Sequence, residues 1–290
     1  GPEGGTCTLT SDIQITGNGV GISLASSRVT LDGNRHTVTG VQTDGHEHIG
    51  VKTCNQCHTM EIKDLTITKF AYGITSNYAQ GLSITDVTVT NTGNSAMYIS
   101  GADGLQLENN DVDGGLYVTG HNAHHGNGDR SCNGTGEYGS PSITIKNNHV
   151  IGGLGISDGT GWCIEGNTIS NGWMSVSYAY DQVSPTNHLI KNNIITGGGI
   201  KIVGSGNTFD SNTVTGGDVG FHNEYRAHDN IFTNNIANDN SQHGFKFDDC
   251  DEYSWEPNCD TNPVTFTDNV ATGNGVSDFK GAPASCFASS

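Results

Sequence analysis

The chain has 290 residues, with 42 Gly, 33% hydrophobic and 14% charged residues, and a formal net charge of -18. Twelve Lys+Arg against 30 Asp+Glu leave no basic stripe to neutralise phosphates, which excludes nucleic acid as the expected partner. No apolar run reaches the ~18 residues of a membrane span, and the first residues show no signal peptide.

Helix formers are scarce, whereas Gly, Asn, Thr, Ile and Val are abundant, so the predicted elements are short strands joined by turns. From Thr8 to Gly40 the segment TLTSDIQITGNGVGISLASSRVTLDGNRHTVTG alternates in period two. An insertion with TCNQCHT follows at 41–59, then IKDLTI from Ile62 and ITDVTV from Ile84. From Leu105 a fixed pattern recurs: apolar, any, apolar, two polar residues, Asn, any, apolar. Its copies are LQLENNDV, ITIKNNHV from Ile143, HLIKNNII from His188, NTFDSNTV from Asn207, NIFTNNIA from Asn230 and VTFTDNVA from Val264. Between copies lies a second strand: GLYV at Gly115, GLGI at Gly153, GGIKI at Gly198, DVGF at Asp218 and HGFKF at His243. Further insertions fall near 120–141, 178–187 and 248–263.

The Asn slot falls at 34, 65, 87, 110, 148, 167, 193, 212, 235 and 269, with shortest steps of 19 to 23 residues. That step is one coil of three short strands. The fold expected is therefore all-β: residues 1–290 as a single right-handed parallel β-helix of about ten coils, a rod of about 50 Å. Asn110, Asn148, Asn167, Asn193, Asn212 and Asn235 are expected to face inward and bond one another as a ladder. The opening coils and the Asn repeats resemble the NosD-type and pectate-lyase-like β-helix superfamily over nearly the whole chain. The resemblance implies the fold and, as function classes, polysaccharide lyases, uronate epimerases, glycoside hydrolases, tailspikes or surface proteins. The chain lacks the paired Asp motif of polygalacturonases and a DPHD-like motif of alginate epimerases.

Because coils stack in register, insertions leaving one strand line one edge of the rod, and the strand face beside them becomes a groove floor. All four insertions are expected to follow the GLYV-type strand. The expected floor is Tyr98, Tyr117, Gly155, Ser175, Lys201, Gly220 and Lys246, then two residues later Ser100, Thr119, Ser157, Ser177, Val203, His222 and Asp248. The flanks supply His121, Arg130, Tyr178, Tyr180, Glu224, Tyr225 and Arg226. A solvated surface residue is the bland reading of each, but FHNEYRAH from Phe221 is the densest set of catalytically able side chains.

Eight Cys suit an oxidising, extracellular setting. Cys7 and Cys286 lie at opposite ends of the rod and cannot meet, whereas Cys250 can reach Cys259 and Cys132 can reach Cys163. Cys54-Asn-Gln-Cys57-His58 fits the pattern for covalent haem, with zinc as a further alternative, but a disulfide-tied loop explains it equally well. Asn133-Gly134-Thr135 is a glycosylation sequon.

The function expected is a secreted polysaccharide lyase or C5-epimerase acting on a uronate polymer. Such chemistry needs a base, a group neutralising the carboxylate and an acid. The candidates are His222 or Lys201 as base, Tyr180 or Tyr117 as acid, and Arg226 or a Ca²⁺ held by Asp158 and Asp248 as neutraliser. His121, Arg130, Tyr178, Glu224, Tyr225 and Lys246 join Arg226 in holding substrate. The alternatives are a glycoside hydrolase using two of Asp158, Glu224, Asp248 and Asp249, and a non-catalytic glycan-binding or adhesin module.

Overall fold

A computed structural model describes residues 4–41, 48–120, 143–177, 186–224, 227–248 and 264–281. Among them every strand pairing is parallel and joins one coil to the next, giving a parallel β-helix with three faces. One face is an 11-stranded sheet whose strands run from Val20–Leu24 to Ser277–Lys280. Ten rung-to-rung steps at ~4.8 Å make it about 48 Å long. Among the described residues no helix is long and apolar enough to cross a membrane.

The recurring dipeptides build the corners. Asp64, Asp86, Asn109, Asn147, Gly166, Asn192, Ser211, Asn234 and Asp268 all adopt left-handed backbone, φ 48° to 68°. Asn, Asp and Gly tolerate that conformation most readily. The next residue turns inward, and from Asn110 onward it is always Asn. Each ladder Asn donates from Nδ2 to the Oδ1 of the next, from Asn110 through Asn148, Asn167, Asn193, Asn212 and Asn235 to Asn269, at 2.8–3.0 Å. The second N–H reaches a strand carbonyl, as Asn193 does to Ile164, and Oδ1 also accepts a backbone N–H, as Asn212 does from Asn193. Both ends of each amide are thus satisfied in a dry interior. Asn34 stands outside the ladder, exposed and itself left-handed at φ 48°.

Two further stacks add to the single ladder expected. His188, Asn207 and Asn230 occupy a second corner, where His188 N–H donates to Asn207 Oδ1 at 3.0 Å and Asn207 N–H to Asn230 Oδ1 at 2.8 Å. At the third corner Asn240 Nδ2 donates to Asn274 Oδ1 at 2.9 Å. Between the corners the core is aliphatic, then aromatic towards the C-terminal end, where Phe221 stacks on Phe245 at 4.7 Å and Phe245 on Phe279 at 5.5 Å.

His188 is fully buried, and the loss of water around it pushes its pKa down to about 3. Its Nδ1 accepts from Trp162 N–H at 3.1 Å. An unfolded His binds a proton near pH 6.5. The folded chain does not until about pH 3, so this residue's contribution is full above pH 6.5 and is lost as pH falls towards 3. His188→Asn keeps a ladder-forming amide beside Asn207. The variant should therefore lose less melting temperature than the parent between pH 6.5 and 4, a difference of roughly 1 kcal/mol per pH unit. Parallel slopes in the two proteins would show that His188 does not titrate on unfolding.

Candidate functional site

Strand register builds the groove floor. Tyr98, Tyr117, Gly155, Ser175, Lys201, His222, Lys246 and Lys280 occupy one outward row on successive rungs of the 11-stranded sheet. This corrects the expected floor by two residues at one coil: His222, not Gly220, stands beside Lys201, and Glu224 takes the second row beside Asp248. Gly220 is inside, close to Ala237 and Asn240. The insertions at 120, 178 and 248 follow strands of this face, Gly115–Gly120, Met174–Ser177 and His243–Phe247. The first does not.

Five titratable side chains meet at the C-terminal half of the floor. Lys201 Nζ lies 2.7 Å from Glu224 Oε1, and Lys246 Nζ lies 2.7 Å from Asp248 Oδ1. His222 sits between the two ion pairs, with Nε2 2.6 Å from Asp248 Oδ2 and Nδ1 3.9 Å from Glu224 Oε1. It is partly buried rather than exposed as expected. Burial pushes the Asp248 carboxyl up, but hydrogen bonds from Lys246 and His222, and their charges, outweigh it and hold the pKa below the ordinary value. An ionised Asp248 can only accept, so His222 Nε2 carries the hydrogen and Nδ1 is the atom left to exchange a proton. Lys246 Nζ, 3.3 Å from Nε2, is a second donor facing the same carboxylate. A carboxyl with a depressed folded pKa contributes stability above its unfolded value, near 4, and loses it as pH falls further.

Other expected site residues lie apart. Tyr117 is four rungs from His222, about 19 Å along the sheet. It cannot act as an acid on a group that His222 deprotonates. Its ring instead lies over Gly155, where a Cβ would collide with it. Asp158 follows the Gly155 rung and Asp248 the Lys246 rung, again about 19 Å apart, so one Ca²⁺ cannot be held by both. Among the described residues no group of three or more His, Cys, Asp or Glu could hold a metal ion. His121, Arg130, Tyr178, Tyr180, Tyr225, Arg226 and Asp249 lie outside the described residues, as do Cys132, Cys250, Cys259 and Cys286. Cys54 and Cys57 are joined as a disulfide, the tied-loop alternative for CNQCH. Cys163 is also disulfide-bonded, and Cys7 is free.

Comparison with known proteins agrees with this architecture. The A-module of the Azotobacter vinelandii mannuronan C-5 epimerase AlgE6 superposes with a TM-score of 0.62 at 14% identity, covering 96% of this chain and 84% of that one. The catalytic domain of a GH87 alpha-1,3-glucanase in complex with nigerose matches with a TM-score of 0.44 at 14% identity. This chain spans only 60% of that domain, and so loose a match carries no argument. At such identities the likeness is one of fold. No curated protein matches by sequence. A family model described as the right-handed beta helix region matches residues 131–286, more than half of the chain. The chain therefore belongs to the right-handed β-helix family.

Proposed function

We propose that the protein is an extracellular enzyme that abstracts the C5 proton of a uronate within a polysaccharide lying along the groove, as a lyase or C5-epimerase. The observation that carries this is His222, bonded to Asp248 and set between the Lys201 and Lys246 rungs. His222 Nδ1 takes the proton, and Asp248 holds the ring and balances its charge. The electron pair left at C5 spreads into the substrate carboxylate, which Lys201 or Lys246 neutralises. Each ammonium has three donors, so it can hold its protein carboxylate and the substrate together. Either the C4 oxygen then leaves and takes a proton from solvent, or a solvent proton returns to C5 from the opposite face. In a chain of net charge -18, a row of Lys201, His222, Lys246 and Lys280 favours an anionic ligand.

Glu224 and Asp248 are also one rung apart, which suits the carboxylate pair of a glycoside hydrolase. That chemistry needs one carboxyl protonated at working pH. Asp248 is shifted the other way, and Glu224 already accepts from Lys201. Incubation with oligouronates in deuterated water separates the readings. Proton abstraction leaves deuterium at C5 or an unsaturated product detectable in the ultraviolet. New reducing ends on a neutral glycan with no exchange on any uronate would make the protein a hydrolase. Binding without either would make it a glycan-binding module.

A further inference from the structure

The left-handed corners contain an anomaly far from His222. Most such positions carry Asn, Asp or Gly, but at the corner closing the groove face two successive coils carry Gln56 (φ 60°) and Tyr78 (φ 53°), and the next carries Gly101 (φ 63°). Holding a bulky side chain in this conformation strains the backbone. After one inward residue in each coil, Cys57, Ala79 and Ala102, the chain turns out again at His58, Gln80 and Asp103. These three stand on adjacent rungs, His58 paired with Gln80 and Gln80 bridged to Asp103. The two columns enclose a cleft of about 210 Å³ lined by Gln56, His58, Tyr78, Gln80, Gly101 and Asp103. The Cys54–Cys57 disulfide ties the turn that presents Gln56 and His58.

The lining indicates its ligand. Tyr78 lays its ring against Gly101, where any Cβ would collide with it, and the side chain is 46% exposed. An apolar ring face beside two amides, an imidazole and a carboxylate suits a flat, hydroxyl-rich molecule: the amides donate and accept, and the carboxylate accepts from paired hydroxyls. No Lys or Arg lines the cleft to hold an anion. We infer that this cleft is a second carbohydrate site that takes one ring of a neutral sugar. It lies six rungs from His222, about 29 Å along the sheet, and is independent of any turnover there.

The test uses the whole chain carrying His222→Ala, titrated with methyl glycosides of glucose, galactose and mannose, and with oligouronates, by calorimetry and ligand-observed NMR. At least one neutral glycoside should bind with a Kd of the order of 1 mM or tighter, and Tyr78→Gly should weaken it about tenfold or more. The same variant should melt no lower than its parent, because glycine relaxes the corner. That separates lost binding from lost folding, and Gln80→Ala gives a second binding loss with no backbone effect. Lys246→Ala should leave this binding unchanged. The inference fails if no neutral glycoside binds, if Tyr78→Gly and Gln80→Ala both bind like the parent, or if oligouronates occupy the cleft more tightly than neutral sugars.

Discussion

Asn193→Asp is expected to destabilise the fold by about 3–5 kcal/mol, the scale of an uncompensated buried charge, and to lower the melting temperature by roughly 10 °C. The side chain is wholly buried, and its Nδ2 donates to Ile164 O and to Asn212 Oδ1. A carboxylate there replaces two donors with lone pairs facing two oxygens, and the amide stack on either side offers it no cation. The neighbouring substitution Asn192→Gly should change stability by only a few tenths of a kcal/mol, because that residue supplies left-handed backbone, which glycine adopts freely. Adjacent and chemically identical residues should thus differ widely in thermal or denaturant unfolding. Equal losses at 192 and 193 would mean that the amide stack is not what the interior depends on.

His222→Ala should lower turnover on the uronate substrate about 10²–10⁴-fold, the usual contribution of a general base. Asp248→Asn tests the geometry beneath it. An amide can present either a donor or an acceptor to Nε2, so the imidazole loses its fixed tautomer. The rate should fall while KM changes little. Lys201→Ala and Lys246→Ala should raise KM for an anionic polymer as well as lower the rate, an effect reproduced in part by added salt. These kinetics come from initial rates over a range of substrate concentrations. Full turnover in His222→Ala would place the base elsewhere. A loss of folding in the same variant, visible by melting, is not expected, because its partners pair with one another: Lys246 remains on Asp248 and Lys201 on Glu224.

The solenoid was legible because each coil writes the same two instructions in adjacent letters. An Asn, Asp, Gly or Ser that bends the chain precedes an Asn that plugs the interior, so NN, DN, GN and SN recur at coil length. Leu65 and Val87 occupy the same slot without the amide, and the strand pattern of IKDLTI and ITDVTV places them. The other two stacks were hidden because they are short and because the longer begins with His188, whose role depends on a buried neighbour in another coil. The slip in the floor had a visible cure. Gly220-Phe221-His222 and Gly244-Phe245-Lys246 align by their shared Gly-Phe, with the phenylalanines stacked inside. Aligning by strand start put Gly220 in the row instead. In sequence Tyr117 and Asp158 read as members of the site because a one-dimensional row conceals how many rungs separate its members. The cleft beside Cys54–Cys57 had no sequence signal beyond Gln56 and Tyr78, whose φ values exist only in the folded chain.

The uniform rung spacing gives the distance between the Tyr78 cleft and His222 a property that few pairs of protein sites have. It is counted in whole coils. One complete repeat, such as the 19 residues separating Asn148 from Asn167, carries its own corner and ladder contacts. Duplicating or losing such a unit moves the two sites by one step of ~4.8 Å and leaves each intact. A mixed polymer with a neutral ring in the cleft and a uronate at His222 would then be measured on a graduated scale, and descendants of this chain could change which uronate along it reaches His222 by gene duplication alone, without altering a single residue that touches it.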